Sequence, residues 1–342
     1  MKFSFINSAR GIAILMVVTL HVSQLITMEG YWKLLKFFCN YGQLGVQFFF
    51  IASAYTLCLS ADHRKSESHA LRNFYIRRYF RIFPVYYLGI IVYYLMNLLY
   101  QNAEAYTFKN VFANVLFIHG FIPSANNKIV PGGWSIATEM LFYLIFPVLH
   151  WFLFSGKIIF RALLIVCACF LGLYLLQIKV DNNTFWYYNI ITQLPVFVVG
   201  MVYYKYVGQI SLRIGFALFA LFTLVTLFFW QLRWFEFVPL SSGISFCGLL
   251  KILEKTSLDH PFFQKIGKVS YSIYVVHFIF AFFLLPENQS IVWFLPFLVV
   301  TFALSYFISV LLEKYIEKPF IKIGSKLTSA SNLFVGIQKL NP

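Results

Sequence analysis

Acidic residues are scarce in this 342-residue chain: 12 Asp and Glu stand against 27 Lys and Arg, and charged residues of both signs make up only 11%. So little charge cannot clothe a soluble surface of this size. With 60% hydrophobic residues and a mean hydropathy of +0.75, the chain has far more apolar surface than one soluble core can bury. A soluble domain is excluded, and an integral membrane protein is expected. Cysteine is sparse too. Cys39, Cys58, Cys167, Cys169 and Cys247 all lie in apolar runs without the Cys and His spacing of a zinc site, so neither a metal site nor a disulfide framework is expected. Also missing are the short alternating segments of a membrane barrel, a G-x-S-x-G nucleophile elbow, and an internal repeat of the kind used by inverted-repeat transporters. No A-x-A-like cleavage site follows the first apolar run, which reads as a retained helix capped by Ser8 or Asn7.

What is abundant is aromatic: 42 Phe, 22 Tyr and 7 Trp suit a helical bundle with interfacial aromatic belts. Apolar runs of about 20 residues predict spans near 8–28, 37–60, 82–100, 135–155, 158–178, 188–207, 212–232, 236–253, 266–286 and 291–312. If the N-terminus is inside, 21 of the 27 basic residues fall on its side. The other side holds only Lys33, Lys36, Lys109, Lys128, Lys179 and Arg233. The positive-inside rule then places both termini in the cytoplasm, and the net charge of +15 needs no nucleic-acid partner. The expected fold is thus an all-α integral membrane bundle of about ten transmembrane helices. Residues 1–320 form the membrane domain and 321–342 a basic cytoplasmic tail. The longest external stretch, 101–134, is expected to carry a surface-lying helix.

Ionisable groups inside such runs cost roughly 2.5 kcal/mol or more each at mid-membrane, so they mark function or partnership. In "ARGIAILMVVTLHVS" Arg10 and His21 stand eleven residues apart, within ~20° of three whole helical turns and ~16 Å along the axis. They share one face. Alone, Arg10 reads equally as a snorkelling anchor and His21 as an interhelical hydrogen bonder; together they describe a polar track running from the cytoplasm into the membrane. Arg77, Arg78 and Arg81 immediately precede the third predicted span, with Pro84 near its first turn, and suit either phosphate or anionic lipid. Glu139 sits about a turn inside the fourth span, as a structural partner for a neighbouring helix or, by depth, close to His21, where it would orient the imidazole. In the ninth span, Ser270, Tyr271, Tyr274 and His277 lie at the inner part, with Tyr274 and His277 on one face. Serines such as Ser53 and Ser270 have no acid partner recognisable in the sequence.

Taken in order, Arg10 and His21, "GVQFFFIASAYTL" (45–57), "RRYFRIFPVYY", "GWSIATEMLFYLIFP", "GKVSYSIYVVH" and "EKP" (317–319) resemble the membrane-bound acyltransferase-3 family of bacterial sugar O-acyltransferases, over residues 5 to about 320. The resemblance implies transfer of an acyl group, usually acetyl from cytoplasmic acetyl-CoA, to a hydroxyl of a glycan or glycolipid at the outer face of the bacterial inner (plasma) membrane. It assigns His21, Glu139 and Arg10 to catalysis and Arg77, Arg78 and Arg81 to the donor. Trp134, Ser135, Ser270, Tyr271, Tyr274 and His277 become substrate-binding or supporting residues, and no metal is implied. Ala54 and Thr138 depart mildly from the family pattern. Some relatives carry an extra hydrolase-like domain, so this chain is expected to act alone or to hand its acyl group to a separate periplasmic or extracellular partner. The alternative class is a glycan or lipid-linked sugar exporter without chemistry, which would predict a midplane site and pseudo-symmetric halves.

Overall fold

A computed structural model describes residues 4–100, 103–182 and 184–338. Lys2 and the last four residues of the basic tail lie outside the described residues. Among the described residues fourteen α-helices follow one another: α1 Ser4–Gln24, α2 Lys33–Asn40, α3 Gly45–His63, α4 Ala70–Leu99, α5 Phe108–Val115, α6 Gly133–Phe154 and α7 Ile158–Leu175, then α8 Ile190–Tyr206, α9 Leu212–Gln231, α10 Val238–Lys255, α11 Pro261–Lys268, α12 Ser270–Phe278, α13 Phe294–Leu312 and α14 Lys318–Gln338. No strand occurs among the described residues; a single parallel bridge pairs Ile26 with Gln289. The architecture is all-helical, as composition requires of a chain whose backbone polar groups must be satisfied in lipid.

Seven of these helical runs are long and apolar enough to cross a membrane, or eight if α11 and the run that starts with α12, bent by 67°, count as one span. The protein is a multi-pass membrane protein. Helices also stand where the sequence predicts the other two spans, at 188–207 and 236–253. However, α8 has only 17 residues, and the last turns of α10 hold Lys251, Glu254 and Lys255.

Two boundaries differ from the sequence reading. α1 starts at Ser4, so Ser8 lies inside the helix and cannot cap it; its hydroxyl donates instead to Asp259 at 2.6 Å. α4 starts twelve residues before its predicted span, and Arg78 and Arg81, which the sequence places ahead of that span, sit within the helix and line a cavity. Pro84 is therefore mid-helix, and the free N–H groups of the helix start lie at Ala70, more than two turns from Arg81. The stretch 101–134 carries the expected helix among its described residues. Its helix α5 buries Asn110 and Asn114 and exposes Phe108 and Phe112, at 86% and 50%. That inside-out polarity suits a helix lying against lipid.

Packing centres on α1, whose neighbours include α3, α11, α12 and α13. Small residues permit the closest approach: a Cβ on Gly45 would stand 2.4 Å from the Ala13 carbonyl oxygen, and one on Gly42 2.2 Å from that of Met16. This grip fixes the rotation of α1, and with it the direction in which Arg10 and His21 face.

Candidate active site

Two of the cavities along α1 take in its ionisable residues, Arg10 in one and His21 in the other, and Val46 and Tyr274 line both. The first, about 60 Å³, is lined by Arg10, Arg78, Arg81, Ser53, Glu139 and Tyr143 among others. Glu139, from α6, accepts a hydrogen bond from Ser53 of α3 at 2.5 Å and a very short one from Tyr143, one helical turn further along α6. The Arg10 guanidinium lies 3.4 Å from the Thr56 hydroxyl, and that of Arg78 stacks over Phe74 and Tyr143 at 5.8 and 5.7 Å. The Nε of Arg78 is buried without a hydrogen-bond partner among the described residues. Three guanidinium groups and one carboxylate line this cavity, and outside the lining the buried Glu317 carboxylate lies near Arg81. In a membrane bundle such a surplus is costly unless an anion meets it, and phosphate matches guanidinium forks.

The second cavity, about 280 Å³, is lined by His21 together with Gln24, Gln43, Asn127, Trp134 and Tyr274. It carries no formally charged side chain. His21 Nδ1 stands 3.0 Å from Nε2 of His277, and Nδ1 of His277 stands 3.0 Å from the Ile273 carbonyl oxygen. A carbonyl can only accept, so in the neutral pair His277 carries its proton on Nδ1 and accepts on Nε2. His21 must then donate from Nδ1, which leaves its Nε2 lone pair as a free base. The rings of Phe278 and Phe282 pack on His21 at 4.4 and 5.7 Å and hold the imidazole in place.

The sequence-predicted residues divide between these cavities and the frame around them. Arg10 and His21 are on one continuous helix and line adjoining cavities, as their spacing implies. Glu139 does not meet His21: its hydrogen bonds go to Ser53 and Tyr143 in the charged cavity, and the partner of His21 is His277. Depth alone could not settle this, because helix rotation decides which neighbour a side chain faces. Arg77 also departs from expectation. Both its terminal nitrogens bond Glu67, at 2.7 and 2.9 Å, and this fork holds the Glu67 carboxyl below the usual glutamate range. Arg78 and Arg81 remain in the cavity.

Supporting roles are visible for the others. Trp134 stacks on Tyr188 at 4.5 Å. Ser135 lies 2.8 Å from the Tyr274 hydroxyl, which donates to the Gly132 carbonyl at 3.0 Å, so this Tyr is held upright between the two cavities. Tyr271 donates to the Ile82 carbonyl and ties α12 to α4, while Ser270 bonds back to Gly267 at the bend after α11. Sequence reasoning missed Ser53, Tyr143, Gln24 and Asn127. Tyr143 was detectable, standing four residues after Glu139 on the same face. Ser53 was dismissed for lack of an acid, yet Glu139 reaches it from 86 residues away.

Residues 3–312 match the acyltransferase-3 family, in what is described as an acyltransferase domain. A curated relative is the peptidoglycan O-acetyltransferase OatA of Listeria monocytogenes serovar 1/2a, 27% identical over 159 residues that cover 42% of this chain and 23% of that protein. The chain thus matches under a quarter of the length of that relative. No solved structure matches it. With an arginine-lined cavity next to one that holds a histidine pair, and a family match that takes in nearly the whole sequence, this chain belongs to the acyltransferase-3 family.

Proposed function

We propose that this protein transfers an acyl group, acetyl before longer ones, from cytoplasmic acyl-CoA to a hydroxyl of a cell-envelope or exported glycan at the outer face of the bacterial plasma membrane. The similarity to a peptidoglycan O-acetyltransferase supports O-acetyl transfer to a glycan. The observation that carries the reading is the chain from Ile273 through His277 to His21, which frees one imidazole nitrogen as a base in a cavity that shares Val46 and Tyr274 with the one lined by three arginines.

In this reading Arg10, Arg78 and Arg81 hold donor phosphates and Glu139 keeps the arginines apart and oriented through Ser53 and Tyr143. The donor's slender thioester arm passes Tyr274 toward His21. His21 Nε2 takes the proton of the acceptor hydroxyl, whose oxygen attacks the thioester carbonyl. When the tetrahedral intermediate collapses, the thiol of CoA leaves with that proton. His277 accepts from His21 Nδ1 throughout and so stabilises the imidazolium that forms between the two steps. Gln24, Asn127 and Trp134 line the acceptor's side. The acyl group is delivered directly to the glycan or to a separate transferase outside the membrane.

The mechanism requires ten crossings with both termini in the cytoplasm, α8, α10 and the bent pair α11 and α12 included. Cysteines placed at Lys65 and Lys326 should be shielded from impermeant thiol reagents in intact cells, and one at Asn127 labelled; the reverse pattern would put the donor on the wrong side. The function itself is tested with purified protein in lipid nanodiscs. Acetyl-CoA should be cleaved and acetyl ester should appear on added glycan fragments; an exporter would consume none.

A further inference from the structure

A third cavity, about 310 Å³, opens where the end of α3, the start of α4 and the far part of α6 meet. Its floor is aromatic. Phe74 stacks on Phe146 at 5.5 Å, and the His150 ring lies 5.4 Å from Phe146 and stacks on Phe154 at 4.4 Å. His150 Nε2 is buried without a hydrogen-bond partner among the described residues. The rim is basic: Arg64, anchored by a 2.5 Å bond to Ser60, and Lys65 stand above the floor with side chains 46% and 73% exposed. Two carboxylates are near, and one of them, Glu67, lines the cavity together with Arg77. Glu67 gives both oxygens to Arg77 and leaves Arg64 only a 4.0 Å contact, while Asp62 pairs with Lys65 at 2.9 Å and accepts from Tyr204. Phe74 belongs to this cavity and also lies under the guanidinium of Arg78, which faces the catalytic cavity. The two cavities are therefore neighbours across one side chain.

We infer that this cavity holds the nucleotide end of the acyl-CoA donor, with the adenine against Phe74, Phe146 and His150 and the ribose-bound phosphate at Arg64 and Lys65. The inference rests on the acyl-CoA reading and adds a subsite to it. A flat aromatic floor with an unpartnered ring nitrogen suits a purine, which offers both a π-face and hydrogen-bonding edges. A basic rim suits a dianion, and the volume falls at the lower end of the usual range for ligand pockets. The geometry orders the donor along the protein: nucleotide in the outermost cavity, diphosphate at Arg78 and Arg81, thioester arm beyond Tyr274.

Three donors separate the parts: acetyl-CoA, acetyl-dephospho-CoA, which lacks the ribose phosphate, and S-acetyl-pantetheine, which lacks the whole nucleotide. With wild-type protein, KM should rise about tenfold or more at each truncation, the size expected for losing charge-assisted contacts. The double variant Arg64→Ala with Lys65→Ala should raise KM for acetyl-CoA about tenfold. Its KM for the two truncated donors should equal wild type, which also shows that it is folded. His150→Ala should raise KM for both nucleotide donors and leave S-acetyl-pantetheine untouched. Equal effects on all three donors, or none on acetyl-CoA, would overturn the subsite while leaving acyl-CoA as donor. A wild-type protein that uses none of the three would remove the donor reading and the subsite with it.

Discussion

The two cavities that meet at Tyr274 differ in electrical character. One gathers Arg10, Arg78 and Arg81 around a single carboxylate; the other has no formal charge and centres on two hydrogen-bonded imidazoles. Charge fixed at one place in a membrane bundle can hold an anion through the whole reaction, but it contributes equally to ground and transition states. A neutral, hydrogen-bonded base acts only while a proton moves. On the proposed function, the contrast is a division of labour along one helix, with holding at the Arg10 end and chemistry at the His21 end, three turns apart.

The largest disturbance of that contrast short of removing the base itself is to untie it. His277→Ala should lower kcat about tenfold to a hundredfold without raising donor KM, because His21 loses the acceptor that fixes its tautomer. His277→Gln, whose amide oxygen can accept from His21, should recover part of the rate. A parallel rise in donor KM would place His277 in packing instead. At the other end, Arg78→Ala should raise the KM for acetyl-CoA about tenfold and change kcat little, since phosphate contacts persist into the transition state. Unchanged donor KM would remove Arg78 from the site.

A smaller effect concerns Arg77, which belongs to neither cavity's chemistry. Its pairing with Glu67 lowers the glutamate's pKa, so the stabilisation is fully present above the unfolded value of about 4.3 and is lost as pH falls through the lower folded value. Both side chains are partly exposed, at 22% and 14%, and the contribution should be on the order of 1 kcal/mol. Thermal unfolding of Glu67→Gln should show a Tm slightly below wild type at pH 7, with the gap closing toward pH 3. A gap that widens in acid would contradict the pairing.

Much of this was legible in the sequence, and the illegible part has one physical origin. Hydropathy located the long helices because each must match a bilayer, and the eleven-residue spacing of Arg10 and His21 placed both on one face because a helix has a fixed pitch. Partner identity is different in kind. Glu139 meets Ser53 across 86 residues and His21 meets His277 across 256, contacts set by helix rotation and close approach, such as that of Gly45 on Ala13. Arg77 and Arg78 are adjacent in sequence and look interchangeable, yet successive residues point about 100° apart, so one reaches Glu67 and the other the cavity. The early start of α4 was hidden for the same reason: its arginines look like the flank of a span until Arg78 and Arg81 are seen to line a cavity.

The division of labour is tested most directly by measuring acetyl-CoA affinity and glycan acetylation on the same preparation of His21→Ala. Donor Kd should stay within about twofold of wild type while transfer falls by roughly 10² to 10⁴, the usual contribution of a positioned base. A folded His21→Ala protein that acetylates glycan at the wild-type rate, or one that loses donor binding along with transfer, would contradict the separation of holding from chemistry.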